Sequence, residues 1–148
     1  MALAFDATSN ATGDGVTSVT WAHTTSGANR ALIVGVSYED GFDAMPTNTG
    51  VTYAGTAMTN IGSTTTSVTI TLLGTPHTLY FRAQQWKLSN PVSGANNVVV
   101  SFDGSVDAVC GAVSFTGAHQ VTASLTGPQA AATGSDTAPT VNVASSPI

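Results

Sequence analysis

The stretch RALIVGVSY, residues 30–38, gives the clearest indication of the fold. It is almost continuously apolar and rich in β-branched side chains, a pattern typical of a strand that is covered on both faces. Gly35 interrupts the run, and a glycine inside a strand often marks a bulge or a close contact between sheets. The stretch therefore predicts a central β-strand, with either a bulge or a close sheet contact at Gly35.

On the N-terminal side of this strand, residues 16–23 alternate between two faces. Val19, Trp21 and His23 share one face, and the two large apolar side chains make it the expected core face. The preceding SNATGDG, residues 9–15, contains a Gly-Asp-Gly run of turn residues. We therefore expect a loop there, with a short strand containing Leu3, Phe5 and Ala7 before it.

On the C-terminal side, short apolar segments alternate with turn residues. EDGFDAMPTNTG, residues 39–50, predicts a long exposed loop. Ala54 and Gly55 predict a tight hairpin, and GTP at residues 74–76 predicts a turn between two further strands. Asp103-Gly104 predicts the end of one strand, and residues 107–119 predict the next, in which Cys110 is a small buried residue.

No segment has the periodicity of a helix, so the sequence predicts an all-β protein. The strand spacing suits a jelly-roll-like antiparallel β-sandwich, and 148 residues suit a single domain over 1–148. Residues 121–148 have few large apolar side chains and predict a looser C-terminal segment. Val141 and Val143 alternate with small polar neighbours and predict the start of a strand.

The composition excludes several classes of function. Only 7% of the residues are charged and the net charge is −5, a balance that argues against binding a phosphate backbone. No apolar run approaches the length of a membrane span, and the N-terminus does not have the pattern of an export signal. A single cysteine cannot form an internal disulfide. We expect neither nucleic acid nor membrane as a partner.

Candidate catalytic or metal-binding residues are few. His23, His77 and His119 lie on separate segments, and their residue type predicts surface or strand-end positions. There is no Gly-x-Ser-x-Gly elbow, so we expect no catalytic residues and no enzyme activity. The residues that could bind calcium through carboxylate oxygens are in the acidic loop: Glu39, Asp40 and Asp43. Their spacing is not that of an EF-hand, and an ordinary solvated loop is the favoured interpretation, so we expect no cofactor.

Exposed aromatic residues are candidates for contact with a ligand or a partner, because rings stack on sugars and anchor interfaces. Tyr38 and Phe42 flank the acidic loop, and Trp86 lies in a mostly polar strand where its side is not defined by the pattern. Arg30 and Arg82 are two of three cations, and we expect each to bond acids or loop carbonyls.

Several motifs occur together, in a fixed order, over residues 5–120. They are WAH (21–23), SGANR (26–30), LIVGVS (32–37), VTYAGTAMT (51–59), QWKL (85–88), PVSGANNVVV (91–100) and AVSFTGAHQ (112–120). The combination resembles a jelly-roll or concanavalin-like sandwich domain that recurs in structural proteins of tailed bacteriophages and in bacterial surface proteins. In that domain the pattern usually continues past a segment like residues 140–146, so we expect strands from a neighbour or from further chain to complete the sheet.

The resemblance implies no catalytic machinery. It implies a non-enzymatic virion structural protein, such as a head-decoration or fibre component, found outside the cell after host lysis. Its partners would be copies of itself and other virion proteins such as the major capsid protein. A surface rich in small residues, with 24 Thr and 15 Ser, suits packing between subunits because few long side chains must be ordered. The alternatives are a carbohydrate-binding or adhesive module with a glycan partner, and a subunit of a self-assembling extracellular filament.

Overall fold

The structure, a computed structural model, describes residues 2–40 and 42–120. These residues contain no helix and form seven β-strands. The strands are β1 (Ala4–Thr25), β2 (Ala31–Asp40), β3 (Asn48–Tyr53), β4 (Thr56–Ala57), β5 (Thr59–Leu72), β6 (Thr75–Ser89) and β7 (Gly94–Thr116). The predicted looser segment 121–148, with its strand at Val141 and Val143, lies outside the described residues. No helix capable of spanning a membrane is found in the described part of the chain.

The long strand β7 organises the sheet. β1 pairs with it along its whole length, while its opposite edge pairs with β3 over residues 98–102 and with β2 over residues 107–115. Outward from these, β4 pairs with β3, β6 with β2 and β5 with β6, all antiparallel. The sheet curls into two layers, which confirms the prediction of an all-β, antiparallel, sandwich-like fold.

The first layer contains β5, β6 and β2. It also contains residues 106–116 of β7 and residues 4–16 of β1, which pair with each other. The second layer contains β4, β3 and the remaining halves of β7 and β1. Side chains from both layers form one apolar core, so residues on alternate positions face each other across it. The face of the first layer that points away from the core is called the outer face below.

β1 bends at residues 13–18, beside the segment 9–15 where the sequence predicted a loop. That prediction was wrong, because the strand continues through this segment. The register between β1 and β7 shifts between Gly13 and Val16 and again between Val16 and Ser18. Gly15 has a φ of 61°, and a Cβ on Gly13 would collide with the side chain of Val16. The turn residues therefore make bulges that bend one continuous strand rather than end it. Asp103-Gly104 likewise lies inside β7, where the second strand end was predicted.

The core contains the apolar residues that alternation predicted. Trp21 and Cys110 are buried, as predicted, and Val19 lies beside Trp21. The other core side chains come mainly from β2, β3 and β7: Leu32, Val34, Val36, Tyr38, Val51, Tyr53, Val98, Val100, Phe102, Val106, Ala108 and Ala112. Burial raises the pKa of the Cys110 thiol to about 11, so the thiol stays protonated and behaves as a small apolar group.

β2 is central, between β6 and β7, as its sequence predicted. Its core face is buried, but on the outer face Gly35 is half-buried and Ser37 is exposed. The register runs through Gly35 without a shift, and Gly35 lies opposite Gly111. The predicted bulge is therefore wrong, and the alternative of a close contact is not found either, since a Cβ on Gly35 would meet nothing within 4 Å among the described residues. The prediction that both faces are covered along the whole strand is also wrong.

Two hairpins have two-residue turns with positive φ at both positions. Ala54 and Gly55 close the β3–β4 hairpin with φ of 50° and 77°, as predicted. Leu73 and Gly74, with φ of 49° and 85°, close the β5–β6 hairpin one residue earlier than predicted. Pro76 is accommodated inside β6 because its position in the ladder does not require an N–H bond to β5.

Candidate functional site

A cleft of about 410 Å³ opens at the end of the first layer, beside the bend of β1. It is lined by residues of β1, β2, β6 and β7: Thr12, Gly13, Asp14, Ser37, Tyr38, Glu39, Phe81, Asp107, Ala108 and Val109. The register explains the convergence, because Glu39 of β2 lies opposite Phe81 on one side and Asp107 on the other. The cleft therefore combines carboxylates with one exposed aromatic ring.

Two of the carboxylates interact directly. The side chains of Asp14 and Asp107 share a hydrogen bond, and the N–H of Gly15 donates to Oδ1 of Asp107 at 2.7 Å. The hydrogen bond to Asp107 and its negative charge raise the pKa of Asp14 above 3.8. The two carboxylates repel each other when both are ionised, and this repulsion contributes to the raised pKa of Asp14. Alternation gave no signal for this contact, since the bend creates it.

Tyr38, a predicted contact residue, borders this cleft from the core side and is buried. Its Oη accepts a hydrogen bond from the N–H of Asn48 at 3.2 Å and one from Nη1 of Arg82 at 3.3 Å. Its ring packs edge-on against Phe102 with centroids 4.9 Å apart. Tyr38 therefore links β2, β3 and β6, and Phe81 is the aromatic residue exposed in the cleft.

Phe42, the second predicted contact residue, is 45% exposed and lies near the tip of the β5–β6 hairpin. Its ring is tilted against His77 with centroids 5.1 Å apart. Beside it, Asp43 accepts hydrogen bonds from the N–H of Thr78 at 2.9 Å and from Nδ1 of His77 at 2.8 Å. The N–H of Asp43 donates to the carbonyl of Thr78 at 2.8 Å. The hydrogen bonds from Thr78 and His77 lower the pKa of Asp43.

The three residues predicted as calcium candidates, Glu39, Asp40 and Asp43, lie in different surroundings. Both oxygens of Asp43 accept hydrogen bonds from β6, and Glu39 lines the cleft. Asp40 ends β2 opposite Tyr80. Among residues 2–40 and 42–120, no group of three or more His, Cys, Asp or Glu side chains is placed to hold a metal ion.

Trp86, the third predicted contact residue, lies on the core face of β6 and packs partly buried against the core. Its Nε1 is buried without a hydrogen-bond partner among the described residues. Trp86 is five residues along β6 from Phe81 and does not line the cleft.

Arg30 bonds loop carbonyls, as predicted. Its Nε donates to the carbonyl of Pro91 at 2.7 Å and its Nη1 donates to the carbonyl of Gly27. Arg82 differs from the prediction, because its guanidinium donates to the hydroxyls of Thr65 and Tyr38 rather than to acids or carbonyls. Its position between β5 and β2 places hydroxyls within reach.

The two halves of β1 meet at a polar cluster that the histidine prediction missed. His23 is buried near the end of β1, so of the predicted surface or strand-end positions the surface one is wrong. Its Nδ1 lies 2.8 Å from Oγ of Ser9. Nε1 of Trp21 donates to the same oxygen at 2.9 Å. Because Ser9 accepts from Trp21, its hydroxyl proton is free to go to Nδ1 of a neutral His23, which places the ring proton on Nε2.

Asp6 lies close to this cluster. Its carboxylate accepts hydrogen bonds from the N–H and the hydroxyl of Ser26, and from the hydroxyl of Ser114 at 2.8 Å. Burial raises the pKa of Asp6, but these bonds outweigh burial and the net shift is downward. Serine, histidine and aspartate are thus close together, with His23 and Ser114 almost fully buried and Ser9 half-buried. The arrangement fixes the bent strand in place.

The β5–β6 hairpin extends past the end of β2, whose pairing with β6 stops at Tyr80. We call residues 67–79 the arm. The arm contains no Asp, Glu, Lys or Arg. Val68 is 51% exposed, Leu72 44%, and Leu73 at the tip is fully exposed. Exposed apolar residues grouped on a projecting element are typical of an interaction surface.

Comparisons of the chain with models of protein families, with curated proteins and with solved structures found no match.

Proposed function

We propose that this protein is a non-enzymatic structural subunit of a virion, a head-decoration or fibre component of a tailed phage. It works by packing against copies of itself and against other virion proteins such as the major capsid protein, and it leaves the cell when the host lyses. The observation that carries the proposal is the arm, because an uncharged projecting hairpin with exposed Val68, Leu72 and Leu73 is suited to burial in a protein interface. The motif resemblance supplies the virion context.

The cost of such packing is low for this surface. Burying a charged side chain requires desolvation, and ordering a long one costs conformational entropy. The arm has no Asp, Glu, Lys or Arg side chain that would have to be desolvated or ordered. Its polar residues are mostly threonines, whose β-branched side chains have little conformational freedom to lose. Packing through the β5 side of the arm therefore brings no acidic residues of β5 together, whereas a chain of net charge −5 meets repulsion elsewhere.

The test is co-sedimentation of the purified chain with particles from its natural source that have been stripped of it. We expect the unchanged chain to bind and Leu73→Asp to reduce binding at least tenfold, because a carboxylate at the tip must be desolvated. Val92→Asp is the matched control, since Val92 is 54% exposed but lies outside the arm. Equal binding by all three chains, or no binding, would contradict the proposal.

The cleft favours a second candidate, a carbohydrate-binding module. Phe81 is 37% exposed and could stack on a sugar ring, while Glu39, Asp14 and Asp107 would accept hydrogen bonds from sugar hydroxyls. Saturation-transfer NMR against a glycan panel would detect such binding. Phe81→Ala should abolish the signal, whereas Phe42→Ala should keep it because Phe42 does not line the cleft. The absence of any glycan signal removes this candidate.

A further inference from the structure

We propose that two copies of this chain pair through the outer edges of their β5 strands, joining the first layers of the two copies into one continuous antiparallel sheet. The inference deepens the proposed function and rests on it for its biological purpose, because it names the surface through which copies pack. The observations that support it are the composition of β5, the direction of its backbone groups and its distribution of charge.

Among the described residues, β5 is an edge strand that pairs with β6 alone. Natural edge strands are shortened, bulged, charged or interrupted by proline, because an open edge pairs with any available strand. β4 is two residues long. β1 has three register shifts and contains Asp6 and Asp14. β5 is 14 residues long with one shift near its start, and it contains no charged residue and no proline.

The hydrogen-bonding groups of β5 that point outward can be identified. Both the N–H and the carbonyl of Thr78 bond Asp43, so they point away from β5. Thr69 lies opposite Thr78, and in an antiparallel pair the backbone groups of directly opposed residues turn away from each other together. The N–H and carbonyl of Thr69 therefore point to the outer edge. The same groups of Thr65, Ser67 and Thr71 point there too, because these residues lie an even number of positions from Thr69 along the strand.

A second copy is the occupant that the charges favour. Each chain has a net charge of −5, so two copies repel across most surfaces, but β5 contains none of the eight acids. Two identical strands can pair antiparallel about a two-fold axis, and such an interface closes at a dimer. Val68, Ile70 and Leu72 share the outer face of β5, and the partner's strand would extend that face and cover part of each side chain.

The experiment measures mass by sedimentation equilibrium on the purified full chain over a range of concentrations. We expect a species of twice 14.8 kDa. Thr69→Pro should make the chain monomeric, because it removes an N–H that points outward while leaving the bonds between β5 and β6 in place. Thr69→Ala is the matched control, since it keeps the N–H and should stay dimeric. Thr69→Lys is a second variant that places two like charges at the interface without restricting the backbone.

Circular dichroism and thermal melting establish that each variant is folded. A dimer lost in folded Thr69→Pro and Thr69→Lys, but kept in Thr69→Ala, supports the proposal. A monomeric unchanged chain overturns it, as would be found if β5 pairs within its own chain or with a different protein. A dimer that persists in folded Thr69→Pro and Thr69→Lys also overturns it, as does a closed trimer. Particle binding is measured separately, so failure of the dimer and failure of the virion proposal are distinguishable.

Discussion

At the scale of single residues, some glycine positions leave no room for a side chain, whereas others would tolerate one. Gly117 has a φ of 70°, and a Cβ there would collide with the carbonyl of Ala2. Gly35 has no such constraint, since a Cβ would meet nothing within 4 Å. The two positions therefore respond to the same substitution in opposite directions.

We predict that Gly35→Ala stabilises the protein by about 0.5–1 kcal/mol, because alanine reduces the freedom of the unfolded chain without strain in the strand. Chemical denaturation measures the change in the free energy of unfolding. Gly117→Ala is the contrasting variant and should destabilise the chain. A loss of stability in Gly35→Ala would show that the outer face of β2 is covered more closely than described.

His23 makes stability depend on pH. Burial lowers its pKa below the usual 6.5, partly offset by the charge of Asp6. The unfolded chain therefore takes up a proton that the folded chain does not bind, so stability is complete above pH 6.5 and falls as the pH drops towards the folded pKa. Melting temperatures from pH 8 to pH 5 should show this fall, and His23→Gln should flatten it.

At the scale of elements, alternation predicted the buried face of β1 well and the strand ends poorly. It placed Val19, Trp21 and His23 on the core face, and all three are buried. The expectation that His23 lies at the surface came from its residue type. Ser9 supplies a hydrogen-bond partner for Nδ1, while Nε2 is buried without a partner among the described residues. Turn residues at 13–15 predicted a strand end because bulges and loops use the same residues. The cleft was not predictable, since the bend brings Asp14 to Asp107.

Asp43, in the segment after β2, is hydrogen-bonded to Thr78 of the arm, and substitution of Asp43 removes the bond that its carboxylate makes. We predict that Asp43→Ala speeds amide exchange at Thr78, whose N–H loses its acceptor, with little change in the melting temperature because Asp43 is exposed. Hydrogen exchange followed by NMR measures this. Asp40→Ala removes a nearby acid that does not bond Thr78 and serves as the control. Unchanged exchange at Thr78 in Asp43→Ala would show that the Asp43 carboxylate does not protect this N–H.

At the scale of the whole molecule, the protein is a bent β-sandwich in which the edge strand β5 contains no charged residue. The apolar core explains why the chain folds, and the arm and β5 explain how copies could pack. The residue patterns predicted the sandwich and its core. They did not predict the arm, because its exposure results from β6 being longer than β2, which no local pattern in either strand contains.

The most direct test of the central claim is to count the chain in particles purified from its natural source. Quantitative mass spectrometry gives the ratio of this chain to the most abundant capsid protein. We predict a constant ratio across successive purification steps and after a high-salt wash, because contacts through apolar side chains and an uncharged strand are not weakened by salt. A ratio that falls towards zero with each step, or particles without the chain, would contradict the claim.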